Sequence, residues 1–293
     1  MLERLGVAHL LAHNIDLTLN IALGERYKSE TQKARVISEA WTERNAFCCS
    51  CGGSLKRRQN NARVLDFTCA KCHNDFELKS TRGNFSNKLP DGAFSAMMAR
   101  LSDVSSPNFF FLTYNVKSSC VTNFFAVPTY FLDSTVIEKR KPLNPDARRA
   151  GWVGCNIAMH RIPEAGKVFY VRNGKILEKS AVIETWGRTA FLRREASLET
   201  RGWALEILRI IQSFNDREFT LQRMYAFEAQ LKQQFPRNNF IREKIRQQLQ
   251  VLRDAGLIAF NGRGRYVANF GSSIERQKPY KVGPANALTN SRV

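Results

Sequence analysis

The chain has 293 residues, 43% of them hydrophobic, enough to bury one large core or two modest ones. Forty-five Lys and Arg against 26 Asp and Glu give a formal net charge of +19, and such an excess calls for a polyanionic partner, because each neutralised phosphate releases condensed counterions. A membrane-surface role has only the net charge behind it, and nothing supports insertion: Val7–Leu23 is broken by His9, His13, Asn14, Asp16 and Asn20, so it lacks the apolar core of a signal peptide or a spanning helix.

In chain order, residues 1–14 read as an extension. Gln32–Phe47 has a helical pattern, with Ala34, Ile37, Ala40 and Trp41 on one side; Glu39 reads first as a solvated helix charge, with an approach to a metal from outside the carboxylate–lysine set as the second reading. Strand-like runs follow at Val64–Cys69, Phe76–Lys79, Asn108–Tyr114 and Asn123–Val127, with a helix over Gly92–Leu101. That is a mixed α/β domain. Lys139–Gly154 is Pro- and Arg-rich and is expected to form an ordered basic loop. From Ser197 the pattern turns helical: Trp203, Ile207, Ile210, Ile211 and Phe214 share a face. Thr220 can cap a second helix carrying Leu221, Met224, Tyr225, Leu231 and Phe235. A third starts at Asn239, turns Ile241, Ile245, Leu249 and Leu252 inward, and stops at Gly256. A hairpin with the turn Asn261-Gly262-Arg263-Gly264 closes the pattern of a winged helix-turn-helix. The expected domains are therefore residues 1–195 and 196–270, with 271–293 as a flexible Ser-, Pro- and Asn-rich tail.

Of seven cysteines, Cys48-x2-Cys51 and Cys69-x2-Cys72 form two pairs with metal-ligand spacing. Four thiolates on two tight turns make a structural zinc site with no open position for chemistry. Together with the missing signal peptide, the pattern favours a reducing cytoplasm over a disulfide framework. Cys120 and Cys155 read as ordinary buried thiols.

Asp66 precedes Glu77-Leu78-Lys79 by eleven residues. Phosphodiester hydrolysis needs carboxylates to hold magnesium and a cation to position or deprotonate water. In a strand Glu77 and Lys79 share a side, because the side-chain period is two. Asp66 on a neighbouring strand completes the set, and the Leu78 carbonyl can join the ligands. Asp/Glu-x-Lys arises by chance about once in a chain of this length, so an exposed edge-strand ion pair is the competing reading. Its position on an apolar strand, behind an Asp and across a zinc ribbon, raises it.

The runs Tyr27-Lys28-Ser29, Gln32-Lys33-Ala34-Arg35, Phe76-Glu77-Leu78-Lys79-Ser80, Gly83-Asn84-Phe85-Ser86 and Asn108-Phe109-Phe110-Phe111-Leu112-Thr113-Tyr114 resemble the DpnI family of methyl-directed restriction endonucleases. So do Arg148-Arg149-Ala150-Gly151-Trp152 and Glu243-Lys244-Ile245-Arg246-Gln247-Gln248-Leu249-Gln250. The likeness runs in order over residues 25–267. It implies a PD-(D/E)xK nuclease fold with the four-Cys zinc site inserted, followed by a C-terminal winged helix. It further implies Mg2+-dependent cleavage of double-stranded DNA within GATC sites whose adenine carries an N6-methyl group, by a monomer in a bacterial cytoplasm. Carried over by motif, Asp66, Glu77 and Lys79 are catalytic, and Leu65 stands where the motif's name has proline.

On the third winged-domain helix, Asn239, Glu243, Arg246, Gln247 and Gln250 face outward, a set able to bond adenine, guanine and cytosine edges. A generic solvated face is the plain alternative. Arg263 and Arg265 on the hairpin suit phosphates, as do Lys244 and Arg253. Burying one N6-methyl is worth about 0.8 kcal/mol, roughly fourfold, and two on a symmetric site about fifteenfold, a factor that reading in both domains would square. Trp152, among Arg148, Arg149 and Gly151, is the methyl-packing candidate outside the winged domain, set against a core role. Two rivals remain: a zinc-ribbon and winged-helix regulator that binds methylated DNA without cutting, and an RNA-processing nuclease with the same metal chemistry.

Overall fold

The structure is a computed structural model describing residues 15–58, 65–85, 87–103, 106–194, 198–214 and 216–270. The N-terminal extension, Val64, residues 195–197 of the expected interdomain linker, and the C-terminal tail lie outside the described residues. In order the elements are α1 (Glu30–Asn45), β1 (Leu55–Arg57), β2 (Phe67–Cys69), β3 (Asp75–Arg82), β4 (Lys88–Ala93), α2 (Phe94–Ser102), β5 (Asn108–Asn115) and β6 (Cys120–Val127). Then come β7 (Ile137–Lys139), β8 (Gly154–Ala158), β9 (Val168–Arg172), β10 (Lys175–Ile176), α3 (Lys179–Thr189) and α4 (Phe191–Arg194). The C-terminal part adds α5 (Leu198–Ser213), β11 (Glu218–Thr220), α6 (Leu221–Tyr225), α7 (Glu228–Gln234), α8 (Ile241–Asp254), β12 (Ile258–Phe260) and β13 (Arg265–Ala268).

By internal contacts the chain forms two compact units. The first runs through Phe85 and adds Pro107–Val127 and Val168–Trp186; the second takes Ser86–Ser106, Pro128–Lys167 and the chain from Gly187 on.

The first unit is built on a sheet in the order β1-β2-β3-β5-β6-β9-β10, in which β3 and β5 run parallel and every other neighbouring pair antiparallel. The run Phe109-Phe110-Phe111-Leu112 on β5 is wholly buried, as a central strand covered on both faces requires. Period two sends Phe110 to one face, where its ring stacks on Phe76 at 4.3 Å and tilts against Phe124 at 5.0 Å. Trp41 of α1 meets Phe124 edge-on at 5.2 Å, so α1 covers this face. Phe111 goes to the other face, against Phe125 at 5.3 Å and Phe85 at 5.7 Å. Register carries the division to β3: Phe76 and Leu78 pack into the first aromatic layer, and Glu77 and Lys79, paired with Phe109 and Phe111, stand on the opposite side.

The second unit holds a short antiparallel sheet, β4-β8-β7, against which α2 packs, and a winged helix whose three strands lie in the order β11-β13-β12. Gly92 and Ala93 of the expected helix belong instead to the end of β4, and α2 starts at Phe94. The expected second helix of the winged domain is broken in two. Thr220 caps α6 as anticipated, its hydroxyl accepting from the Arg223 amide at 3.2 Å, but the chain turns at Ala226–Phe227, which brings Phe227 against Phe214 at 5.8 Å. The third helix begins at Ile241 rather than Asn239, because the Asn238 side chain accepts from the Phe240 amide and Asn239 is held by Lys232. Its inward residues, Ile241, Ile245, Leu249 and Leu252, are buried as expected, and Gly256 ends it with φ +71°.

One charged knot ties α5 into this unit. Arg209 is 5% exposed, pairs with Asp133 at 2.8 Å and Glu206 at 3.1 Å, and donates to the Arg161 carbonyl at 2.9 Å. Glu206 in turn accepts from Gln230 and Gln234 of α7, at 3.1 and 3.5 Å. Breaking a buried pair strands its partners, so Arg209→Met should lower unfolding free energy by about 3–5 kcal/mol. Urea denaturation followed by far-UV dichroism checks it.

Candidate functional site

The backbone between α1 and β3 makes two knuckles. The Cys48 amide donates to the Gly53 carbonyl and the Gly52 amide to the Cys48 carbonyl, both at 2.8 Å, with Gly52 at φ +71°. The Cys69 amide donates to the Asn74 carbonyl at 2.9 Å and the His73 amide to the Cys69 carbonyl at 3.1 Å. The turns converge Cys48, Cys51, Cys69 and Cys72, whose sulfurs all lie within 4.8 Å of one another, the closest pairs at 3.5 Å. Zn–S bonds of about 2.3 Å in a tetrahedron put sulfurs roughly 3.8 Å apart, so the four-Cys cluster fits a structural zinc site. Burial pushes the Cys69 thiol up, but the Cys72 and Lys71 amides, each 3.4 Å from its sulfur, bring it down to about 7. Amides that favour thiolate favour a bound cation. Cys155 is buried as expected, whereas Cys120 at the start of β6 is only half-buried, because its thiol turns out to the Ser118 carbonyl.

Asp66 sits just before β2 rather than within it, one step along from the Phe67–Phe76 pair, with its amide donating to the Phe76 carbonyl at 3.1 Å. Its carboxylate Oδ2 accepts from the Leu78 amide at 2.7 Å, which fixes it against β3 beside Glu77. Glu77 and Lys79 share a face, with Nζ 2.6 Å from Oε1 and both side chains under 20% exposed. The Lys79 ammonium also stands 6.0 Å above the Phe109 ring. Asp66, Glu77, Leu78 and Lys79 are thus brought together.

Glu39 corrects the reading of a solvated charge. It is 3% exposed, clamped by Arg35 at 2.5 Å along α1 and by Arg57 of β1. The i,i+4 spacing from Arg35 was legible in the chain; the reach of Arg57 was not. Burial pushes the Asp66 carboxyl above the ordinary carboxylate range, the Leu78 amide pulls it back, and the Glu39 and Glu77 carboxylates add to the rise against the opposing Arg35. A carboxylate crowded by two others, with its charge disfavoured, is what an added cation would relieve.

The reader candidates lie in the second unit. Asn239, Glu243, Arg246, Gln247 and Gln250 are exposed along α8 and its entry, and Arg263 and Arg265 along the wing, where Arg263 has φ +45°. Several are held by one another: Arg246 bonds the Tyr225 hydroxyl at 2.7 Å and Glu243 at 3.0 Å, Lys244 bonds Gln247 at 2.8 Å, and Lys232 bonds Asn239 at 2.9 Å. Trp152 closes the basic loop. Its amide donates to the Arg149 carbonyl and its carbonyl accepts from Leu143, both at 3.0 Å, while Gly151 turns the chain at φ +75°. The half-buried indole lies so near Gly154 that a Cβ there would come within 2.8 Å of it. The guanidinium of the exposed Arg149 lies over the ring, 4.7 Å from its centre, and Arg148, next to it in the chain, is exposed too.

Among the described residues no helix is long and apolar enough to cross a membrane. The family model described as DpnI, the Dam-replacing family, matches residues 15–195. The model for the C-terminal Dam-replacing HTH domain matches residues 199–268.

Two outcomes follow for this site. Purified protein should carry one zinc per chain by elemental analysis, and Cys69→Ser should lose it along with the folded first unit. With Mg2+ absent, Asp66→Asn should raise the melting temperature at neutral pH. The raised pKa sets the sign: the charged carboxylate destabilises the fold above its folded pKa, so the gap between variant and parent closes as pH falls through the ordinary Asp value. Calorimetry across pH 3–7 measures it.

Proposed function

This chain belongs to the DpnI, or Dam-replacing, family, and from that membership we propose that it is a Mg2+-dependent type II restriction endonuclease hydrolysing duplex DNA at GATC sites that carry N6-methyladenine. Membership supports a methyl-directed restriction endonuclease in general, and the HTH match points to DNA binding. The observation that supports metal-dependent cleavage is the Asp66 carboxylate bonded to the Leu78 amide, beside Glu77 and Lys79 on one strand.

The carboxylates of Asp66 and Glu77 and the carbonyl of Leu78 are the oxygen donors for Mg2+, a hard cation that takes such ligands. When bound, the ion supplies positive charge to the scissile phosphate and acidity to an attacking water. Lys79 stands on the same face of β3 as Glu77, low in exposure and paired with it, where its ammonium would orient the attacking water and screen the charge of a bound phosphate. Glu39, locked by Arg35 and Arg57, holds negative charge near Asp66 and keeps that carboxylate responsive to a cation.

Sequence reading falls to α8 and the basic loop. Asn239, Gln247 and Gln250 suit adenine edges, Arg246 guanine and Glu243 cytosine, while Arg148, Arg149, Arg263 and Arg265 suit phosphates. Trp152, half-buried against Gly154 with Arg149 over its ring, would offer the remaining apolar part of its indole to a methyl group. Residues 1–195 serve as nuclease domain and 196–270 as reader, acting as a monomer in a bacterial cytoplasm.

The test is cleavage, with Mg2+, of three plasmids whose GATC sites are fully, half or not methylated. Cutting should be confined to methylated sites and fall about 10³-fold in Lys79→Ala with DNA binding retained. Methyl-dependent binding with no cutting of any plasmid would leave a reader and remove the enzyme. In the same assay Trp152→Ala should lower the methylated-to-unmethylated ratio about fourfold; an unchanged ratio returns that side chain to a packing role.

A further inference from the structure

The outward side of α8 is polar almost throughout. Arg242, Glu243, Arg246, Gln247, Gln250, Arg253 and Asp254 are all exposed there. The exception stands at its entry. Phe240 is 71% exposed, more than any other large hydrophobic residue described. Water-facing aromatic area of that size disfavours the free protein, so an occupant is the question.

Its placement is held. The Phe240 amide donates to the Asn238 side chain at 2.8 Å, its carbonyl accepts from the Lys244 amide at 3.0 Å, and the next residue, Ile241, is anchored in the core. Spacings of three and four residues align position 240 with Glu243, Gln247 and Gln250, the polar stripe assigned to base edges. Five cations lie within eight residues of Phe240 along the chain, Lys232, Arg237, Arg242, Lys244 and Arg246, of which Arg242 pairs with Glu228 and Arg246 with Glu243. That charge suits DNA phosphates and is wrong for an apolar protein or peptide partner. Recognition helices bring their N-terminal residues to the base edges of the major groove, and the N6-methyl of adenine projects into that groove.

We propose that Phe240 is the winged domain's contact for the N6-methyl group, a specificity-determining residue separate from Trp152. The inference rests on the function proposed above. The stripe's polar side chains read the bases through hydrogen bonds, and none of them supplies an apolar surface; Phe240 does. Its exposure in the free protein means that its burial occurs on binding, so the methyl contact adds affinity without a cost to folding.

The experiment measures affinity at fixed salt in the full chain carrying Lys79→Ala, to prevent cutting. Three duplexes are compared: GATC with N6-methyladenine, GATC without it, and the methylated site with deoxyuridine in place of thymidine. Phe240→Ala should reduce the methylated-to-unmethylated preference about fourfold, and Phe240→Leu should keep most of it. The response to deoxyuridine should be the same with and without the substitution. A preference unchanged by Phe240→Ala, or equal weakening on all three duplexes, overturns the assignment. So does loss of the thymidine-to-deoxyuridine difference alone, which would make the contact a thymine methyl. A parent chain that binds methylated and unmethylated sites alike overturns the methyl-directed reading as well, which distinguishes that failure from failure of Phe240.

Discussion

The stacking of Phe76 on Phe110, 4.3 Å between ring centres across the parallel β3–β5 pair, is the contact on which the first unit's chemistry depends. Such a pair contributes about 0.5–1.5 kcal/mol beyond the area it buries, but its larger effect is on register. With Phe76 and Leu78 committed to the aromatic layer under α1, Glu77 and Lys79 have one place to go. A slip of one residue would bury both charges and expose two large apolar side chains. The strand that builds the core therefore also aims the site.

Asp66 is placed by a different device. The β2 strand that follows it is only three residues long, and the two cysteine knuckles meet at one end of this short antiparallel corner. Leu55, Phe67 and Phe76 anchor this corner in the core, and a metal held by the four sulfurs would add folding energy there. The position of a carboxylate against the Leu78 amide is thus tied to four sulfurs that take no part in its chemistry. The accumulated negative charge of Glu39, Asp66 and Glu77 is held in place by Arg35, Arg57 and Lys79, so crowding persists without unfolding the site.

In the second unit the corresponding work is electrostatic. Arg209 is buried with Asp133, Glu206 and the Arg161 carbonyl, and Glu206 reaches Gln230 and Gln234. Buried ions of this kind need every partner present, which makes the arrangement geometrically exacting even where it adds little net stability. The exposed face of α8 follows another rule: its side chains bond neighbours, so a partner bound there would exchange these bonds rather than create them from nothing.

Local patterns were legible wherever one periodicity or one spacing carried the signal. The paired cysteines, the run Asn108–Tyr114, the capping Thr220, the inward Ile241, Ile245, Leu249 and Leu252, and the wing turn all follow from rules spanning a few residues. Elements that failed this reading were decided by contacts between distant residues. The break at Ala226–Phe227 exists because Phe227 packs on Phe214, and α8 starts late because Asn238 and Lys232 hold the residues before it. Glu39 is the sharpest case. Alone on its helix it reads as solvated, because the strand arginine that buries it lies eighteen positions away. The sequence by itself determined which residue types were present and their local phase: thiolates in pairs, carboxylate and lysine two apart, and an amphipathic α8. Only the tertiary structure decided which charges share a neighbourhood and how far each is withdrawn from water, because burial and Coulomb interaction depend on separation in space, and separation along the chain does not specify that.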